Sequence, residues 1–360
     1  MAGLYIHIPF CKKKCNYCDF CSYVKDENTI SLYLTALKRE IDTLTTNHSP
    51  LSTIYIGGGT PSLLNLHQLE FFFGSLLKNL DFNKIEETSF ECNPESITEE
   101  KLNILKNFGV SRLCFGLQST KNEILSFLGR VHTFEDFLHK FEISRKLGFK
   151  NISIDLIYGI PGQSLDMWKE TLKDVVKIKP EHLSIYCLSI EDGTEFQKMG
   201  VSVDENLSVG MYEYAIDYLE NEGYLQYEIS NFSLAGFECK HNINYWQNGE
   251  YFGFGCSAVS YLNGVRKKNT SDLELYIKTS GEKTATEEME TNSYETILSE
   301  KIFLGLRMNK GIFLTEEIKN KYGHVINKFI EEGFLKLDSD RISLTKNGLF
   351  VSNRIFMEFV

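Results

Sequence analysis

The chain has 360 residues, 42% hydrophobic and 24% charged, proportions of an ordinary globular protein with room for one large domain and an appendage, or for two domains. Its formal net charge of −11 argues against broad nucleic-acid binding, which needs a basic footprint to displace counterions. No apolar run reaches the roughly 18 residues needed to span a bilayer, and Met1 to His7 lack the basic and apolar regions of a secretory signal, so a cytoplasmic, reducing location is expected.

Strand-like and helix-like segments alternate along the first two thirds of the chain. Residues 4–8 read as a strand, followed by a helix with Tyr33, Leu37, Ile41 and Leu44 on one face. Residues 54–56 form a short apolar strand ended by Gly57, Gly58 and Gly59. The strand at 88–91 precedes a helix capped by Thr98, with Glu99 and Glu100 at the positive end of its dipole. A strand at 112–116 leads to a helix with Phe134, Phe137, Leu138, Phe141 and Leu147 on one face, stopped by Gly148. A strand at 152–157, a helix at 165–178, a strand at 183–188 and a helix through Tyr212, Ile216 and Leu219 complete the series.

Six strand–helix units imply a parallel sheet covered by helices. The expected fold is therefore α/β, a partial (β/α)6 TIM-like barrel over residues 1–232, with ligand chemistry at the C-terminal ends of its strands. Residues 233–292 change character: 230–270 are rich in Asn, Gly and aromatics, and 278–292, including Lys283, read as a polar, exposed connector. Residues 293–360 mix helical patterns with a short strand pair at 334–337 and 342–344, which suggests a smaller α+β, winged-helix-like module.

Four of the nine cysteines fall at 11, 15, 18 and 21. In a reducing compartment clustered cysteines read as metal-binding or catalytic, whereas Cys114 and Cys187, in apolar strands, read as small buried hydrophobes. Cys11, Cys15 and Cys18 lie within eight residues of loop and suit one cubane iron–sulfur cluster with one iron left open. A zinc site completed by Cys21 competes, although no second cysteine knuckle is evident.

Cys-x3-Cys-x2-Cys with Tyr17 before the last cysteine resembles the radical S-adenosylmethionine superfamily. The stretch from Tyr5 through Ile8, Pro9 and Phe10 to Cys11 resembles the oxygen-independent coproporphyrinogen III oxidase family and its haem-chaperone branch. The resemblance runs through about the first 240 residues. It implies a [4Fe–4S] cluster on Cys11, Cys15 and Cys18, with S-adenosylmethionine chelated at the open iron. It also assigns cofactor contacts to Gly58, Gly59 and Thr60 of the GGGTP segment, to Glu91, Gln118, Arg130 and Asp155 on later strands, and to Tyr5 and Tyr17 near the cluster. Some of these contacts serve a second S-adenosylmethionine in the oxidase.

Three departures favour the chaperone branch over the oxidase. No long arm precedes Cys11, Phe20 stands where the oxidase has its fourth motif cysteine, and His241-Asn242-Ile243-Asn244-Tyr245-Trp246 matches the branch's HNxxYW signature, associated with haem. A neutral imidazole at His241 suits haem iron, with Tyr245 and Trp246 to stack on the porphyrin. The competing reading is a hydrogen-bonded core histidine between core aromatics, and Cys239 is a lesser candidate ligand. The resemblance implies haem as cargo, an acceptor haemoprotein such as a respiratory enzyme, and an electron donor of the flavodoxin or ferredoxin kind. Oxidative decarboxylation of coproporphyrinogen III is the alternative function. Radical modification of tRNA is disfavoured by the acidic charge, and no catalytic base is assigned.

Overall fold

The computed structural model describes residues 2–43, 50–78, 80, 84–282 and 285–360; Leu44 and Lys283 lie outside them. Six strands follow one another in parallel: β1 (Ala2–Ile8), β2 (Leu51–Gly58), β3 (Glu87–Cys92), β4 (Arg112–Gln118), β5 (Ile152–Tyr158) and β6 (His182–Cys187). Each is nearly all apolar on its helix side. In β1, Leu4, Ile6 and Ile8 are fully buried there, while Tyr5 and His7 project to the opposite face.

The covering helices form where their caps and apolar spacing put them. Asp26 accepts from the Thr29 amide to open Glu27–Ile41, which buries Ile30, Tyr33, Leu34, Leu37 and Ile41. Thr98 caps Glu99–Asn107, and Thr133 with Asp136 makes a capping box for Phe134–Lys146. Leu165–Lys177 buries Trp168, Leu172 and Val175. Such sheet–helix packing makes one core running from Ala2 to Tyr276.

The sheet extends beyond the six expected strands. The additional strands are β7 (Leu225–Glu228), β8 (Asn231–Ser233), β9 (Tyr251–Phe254), β10 (Val259–Leu262), β11 (Val265–Asn269) and β12 (Thr286–Thr291). They complete a twelve-stranded order β12-β11-β10-β9-β1-β2-β3-β4-β5-β6-β8-β7, with β9 parallel to β1. Thr286–Thr291 is thus an edge strand rather than a connector. Charge hid it: Arg266 faces Glu290 and Lys268 faces Glu288 across the β11–β12 pair, so the strand lacks the alternation of a half-buried one.

The C-terminal residues carry β13 (Ile312–Phe313), β14 (Leu335–Asp338) and β15 (Arg341–Leu344) in the order β13-β15-β14, beside helices Tyr294–Gly305 and Glu316–Glu331. These elements share a separate core that includes Ile302, Ile326, Phe329, Ile342 and Ile355. Backbone bonds from Ile229 N to Arg307 O and from Asn309 N to Tyr227 O dock it on the larger sheet. Among the described residues no helix is long and apolar enough to cross a membrane.

Candidate functional site

The cysteine loop leaves β1 and is closed at its neck, where Cys11 N donates to Tyr23 O at 3.0 Å and Tyr23 N to Pro9 O at 2.8 Å. Asn16 staples its far end: its amide donates to Leu128 O, its side-chain Nδ2 to Phe127 O, and its carbonyl accepts from Phe196 N. Gly129, at φ +80°, permits this contact, since a Cβ there would lie 3.0 Å from Asn16 Oδ1. Lys12, Lys13 and Lys14 are exposed, whereas the three motif thiols are half-buried along a cleft at the C-terminal ends of β1 to β5.

That cleft encloses about 810 Å³ of open space. Of the residues expected to hold the cofactor, Tyr17, Gly58, Gly59, Thr60, Glu91, Gln118, Arg130 and Asp155 all line it with Cys11, Cys15 and Cys18. Gly59 sits so close to the loop that a Cβ would lie 2.8 Å from Phe10 O and 3.0 Å from Cys11 Sγ. Gly58, at φ +117°, turns its amide to Glu91 Oε2 at 3.0 Å, while Tyr55 donates to Glu91 Oε1 at 2.9 Å. Gln118 ends β4 at φ 72° beside a register shift, a strained conformation for a non-glycine residue that is typical of binding sites.

Arg130 binds the parts together. Its Nη2 donates to Asn93 Oδ1 at 2.7 Å and Gly116 O at 2.8 Å, and its Nη1 lies 3.5 Å from Cys15 Sγ. Asn93 Nδ2 continues to Thr60 Oγ1 at 3.0 Å, and Thr60 donates to Cys11 Sγ at 3.5 Å. Asn93 is the residue that sequence reasoning passed over, and its signal was its place one step beyond β3, next to Pro94. Glu95 also lines the cleft and lies 3.3 Å from His132.

Burial sets the electrostatics. It pushes the Cys18 thiol up to about 11 and raises Cys11. Burial, with Asp155 nearby, pushes Glu91 up to about 7, and burial pushes Asp155 up to about 6. Three thiols facing one space, a guanidinium at their side and an unpartnered buried Arg130 Nε suit an anionic cluster with a polar ligand beside it. The geometry does not bring Cys21 to the other three cysteines as a four-cysteine zinc site requires. Cys21 turns away from the cleft, 4.0 Å from Cys256 Sγ, and no group of three His, Cys, Asp or Glu side chains among the described residues could hold a metal ion between them. Irons at separate corners of a cubane need no such convergence.

Two expected residues lie elsewhere. Tyr5 is not among the residues lining this cleft. Its hydroxyl is 2.9 Å from His7 Nδ1, and it lines a second cleft of about 950 Å³ with His7, Tyr245, Trp246, Tyr251 and Arg266. His241 lies in the first turn of the helix Lys240–Trp246 and is 1% exposed. Its Nδ1 is 2.8 Å from Thr53 Oγ1 and its Nε2 2.9 Å from Tyr245 Oη, so both ring nitrogens are hydrogen-bonded. Burial lowers its pKa to about 3 and keeps the ring neutral. Cys239 is buried against Glu87.

Residues 5–175 match the model of the Radical SAM superfamily and residues 292–351 that of the HemN C-terminal domain. The chain is 38% identical over 370 residues to the heme chaperone HemW of Lactococcus lactis subsp. lactis, covering 99% of this chain and 96% of the relative. Against the heme chaperone HemW of Bacillus subtilis the identity is 37% over 380 residues, covering 100% and 99%. The structure of coproporphyrinogen III oxidase (HemN) from Escherichia coli, a radical SAM enzyme, superposes with a TM-score of 0.85 at 22% identity, over 99% of this chain and 89% of that one, a likeness of fold. The chain belongs to the HemW family of the radical SAM superfamily.

Proposed function

We propose that this chain is a haem chaperone: it holds a [4Fe–4S] cluster and S-adenosylmethionine in the cysteine-lined cleft, takes up haem, and passes it to an acceptor haemoprotein. The observation that carries the cofactor half is the chain of contacts Cys15–Arg130–Asn93–Thr60–Cys11 around one cleft that also gathers Glu91, Gln118 and Asp155. Cys11, Cys15 and Cys18 would hold the cluster. Glu91 and Arg130 offer the carboxylate and guanidinium suited to the charged ends of S-adenosylmethionine, Gly58, Gly59 and Thr60 bring the backbone close to it, and Gln118 and Asp155 line the same cleft. When bound, the cluster supplies one-electron chemistry and a chelating iron. Tyr5 lies one cleft away, its hydroxyl on His7 Nδ1.

The cargo half rests on the family and on the aromatic cleft beside the HNxxYW segment. An acceptor of respiratory type and a flavodoxin or ferredoxin donor complete the reading, with the cytoplasm as its location. The test is a pair of assays on anaerobically reconstituted protein. Haemin should bind with a shifted Soret band and move to an apo-haemoprotein, while coproporphyrinogen III should pass unchanged. Protoporphyrinogen formation with consumption of S-adenosylmethionine would replace this reading by the oxidase one.

A further inference from the structure

Two tyrosine–histidine pairs meet at the second cleft, Tyr5 with His7, both of which line it, and Tyr245, which lines it, with His241 buried behind it. Tyr5, His7 and Tyr245 line it, while His241 lines neither this cleft nor the space enclosed by the barrel strands.

The two pairs differ in what stands behind the imidazole. His7 Nε2 lies 2.8 Å from the Cys21 carbonyl, which only accepts, so Nε2 carries the proton and Nδ1 is left as an acceptor. Tyr5 must then donate to Nδ1, and a phenolate there would face a lone pair. His241 Nδ1 lies 2.8 Å from the Thr53 hydroxyl, which both donates and accepts. His241 is therefore free to carry its proton on Nε2 and donate it to a phenolate oxygen on Tyr245, with Thr53 donating to Nδ1.

We propose that Tyr245, not His241, is the protein ligand to ferric haem iron in this cleft, and that His241 is a positioning residue donating from Nε2 to the phenolate oxygen. Tyrosinate is an established type of haem ligand, and a ligand's hydrogen-bonding partner sets its orientation and basicity. The exchange balances when haem arrives as its ferric hydroxide. The iron–hydroxide bond breaks, the iron–phenolate bond forms, and the phenol proton leaves with the hydroxide as water, with no change of oxidation state. Trp246, one face of which carries the Arg307 guanidinium, and Tyr251 also line the cleft and would give the porphyrin an aromatic wall.

This inference rests on the haem-carrying reading, and one experiment separates the two. Haemin is titrated into the full, cluster-loaded chain and into its Tyr245→Phe, Tyr5→Phe and His241→Ala variants. Ligation is read by resonance Raman and by the charge-transfer band of a high-spin ferric tyrosinate. The wild type and Tyr5→Phe should show tyrosinate vibrations, and Tyr245→Phe should lose them. His241→Ala should keep them with haemin affinity lowered about ten- to a hundredfold. A histidine-ligated spectrum that survives in Tyr245→Phe overturns the ligand assignment and leaves the carrying reading standing. Failure of the wild type to bind haemin overturns both. Should Tyr245→Phe not fold, the presence or absence of tyrosinate bands in the wild type decides.

Discussion

Arg130 and Cys15 meet across the cleft, Nη1 to Sγ at 3.5 Å, and the same guanidinium holds Asn93 and Gly116 from its other nitrogen. Lysine carries the charge but not the fork, so Arg130→Lys keeps one contact and loses the rest. Buried hydrogen bonds to a charged group contribute about 1.5–3 kcal/mol each, and the loss of one or two should lower the thermal midpoint by several degrees. Affinity for S-adenosylmethionine, measured anaerobically by calorimetry, should fall at least about tenfold. Unchanged affinity would place the cofactor away from Arg130.

Cys15 and Cys21 are six positions apart, yet they have different neighbours. Cys15 faces the cleft and Arg130, whereas Cys21 faces Cys256, Tyr23 and the Ser271 carbonyl. Cys15→Ser should abolish iron and sulfide incorporation on anaerobic reconstitution, and Cys21→Ser should retain both at wild-type levels. Equal loss in the two variants would return Cys21 to the ligand set.

Gly59→Ala tests the close approach of the GGGTP turn to the cysteine loop. The added methyl would lie 2.8 Å from Phe10 O, 2.9 Å from Phe10 N and 3.0 Å from Cys11 Sγ, and two of these neighbours are backbone. Overpacking of this kind costs about 1–3 kcal/mol. Here it also displaces Cys11, the proposed cluster ligand, so iron content should fall along with stability. Gly210→Ala, inside the helix Glu205–Asn221 with open space around its Cβ, should stay neutral or gain about 0.5–1 kcal/mol. Chemical denaturation and iron analysis on the two variants make the comparison.

The six strand–helix units and the cysteine loop were legible because each follows a local rule. Leu4, Ile6 and Ile8 alternate, Thr98 and Thr133 cap, and three cysteines share one short loop. The strands β11 and β12 were not, because Lys268 and Glu288 are ordinary surface charges until the pairing that opposes them is known. His241 shows a different limit. Residue type and motif marked it as a ligand, but whether an imidazole is available depends on Thr53, 188 positions away, and on the Tyr245 hydroxyl one helical turn on. Arg130 was assigned through the family resemblance, and its partner Asn93 was missed because an asparagine before a proline reads as a turn residue.

Glu91 makes stability depend on pH in an unusual direction. Its carboxyl, near 4.5 in the unfolded chain, is pushed up to about 7 when folded, so the folded state binds the proton more tightly. The stabilisation is present below about pH 4.5 and is lost as pH rises through 7, by roughly 3 kcal/mol in total. In the chain without cofactor, Glu91→Gln should remove this loss and leave between pH 5 and 7 the smaller dependence of the same sign that Asp155, pushed up to about 6, contributes. A cationic ligand beside Glu91 favours the carboxylate, so binding S-adenosylmethionine near pH 6 should release protons. Calorimetry in two buffers of different ionisation heat measures that release, and none would be expected of Glu91→Gln.

The cations around Trp246 bear on what haem needs besides an iron ligand. Trp246 lines a third cleft together with Lys301, Lys310, Phe313 and Arg341 of the C-terminal residues, and among the described residues that lining contains no carboxylate. Arg341 is spent on the carbonyls of Lys310 and Gly311, and Arg266 of the neighbouring cleft is paired with Glu300 at 2.6 Å, which leaves the two exposed ammonium groups. In a chain of net charge −11 such a local excess of positive charge suits the two propionates of haem. Exposed ion pairs contribute about 0.2–1 kcal/mol each, so replacing both lysines by glutamate should weaken haemin binding roughly two- to thirtyfold. The dimethyl ester of haemin lacks the carboxylates and should bind wild type and variant alike. An ester that discriminates between them as strongly as haemin does would show that the lysines act through the shape of the cleft and not through charge.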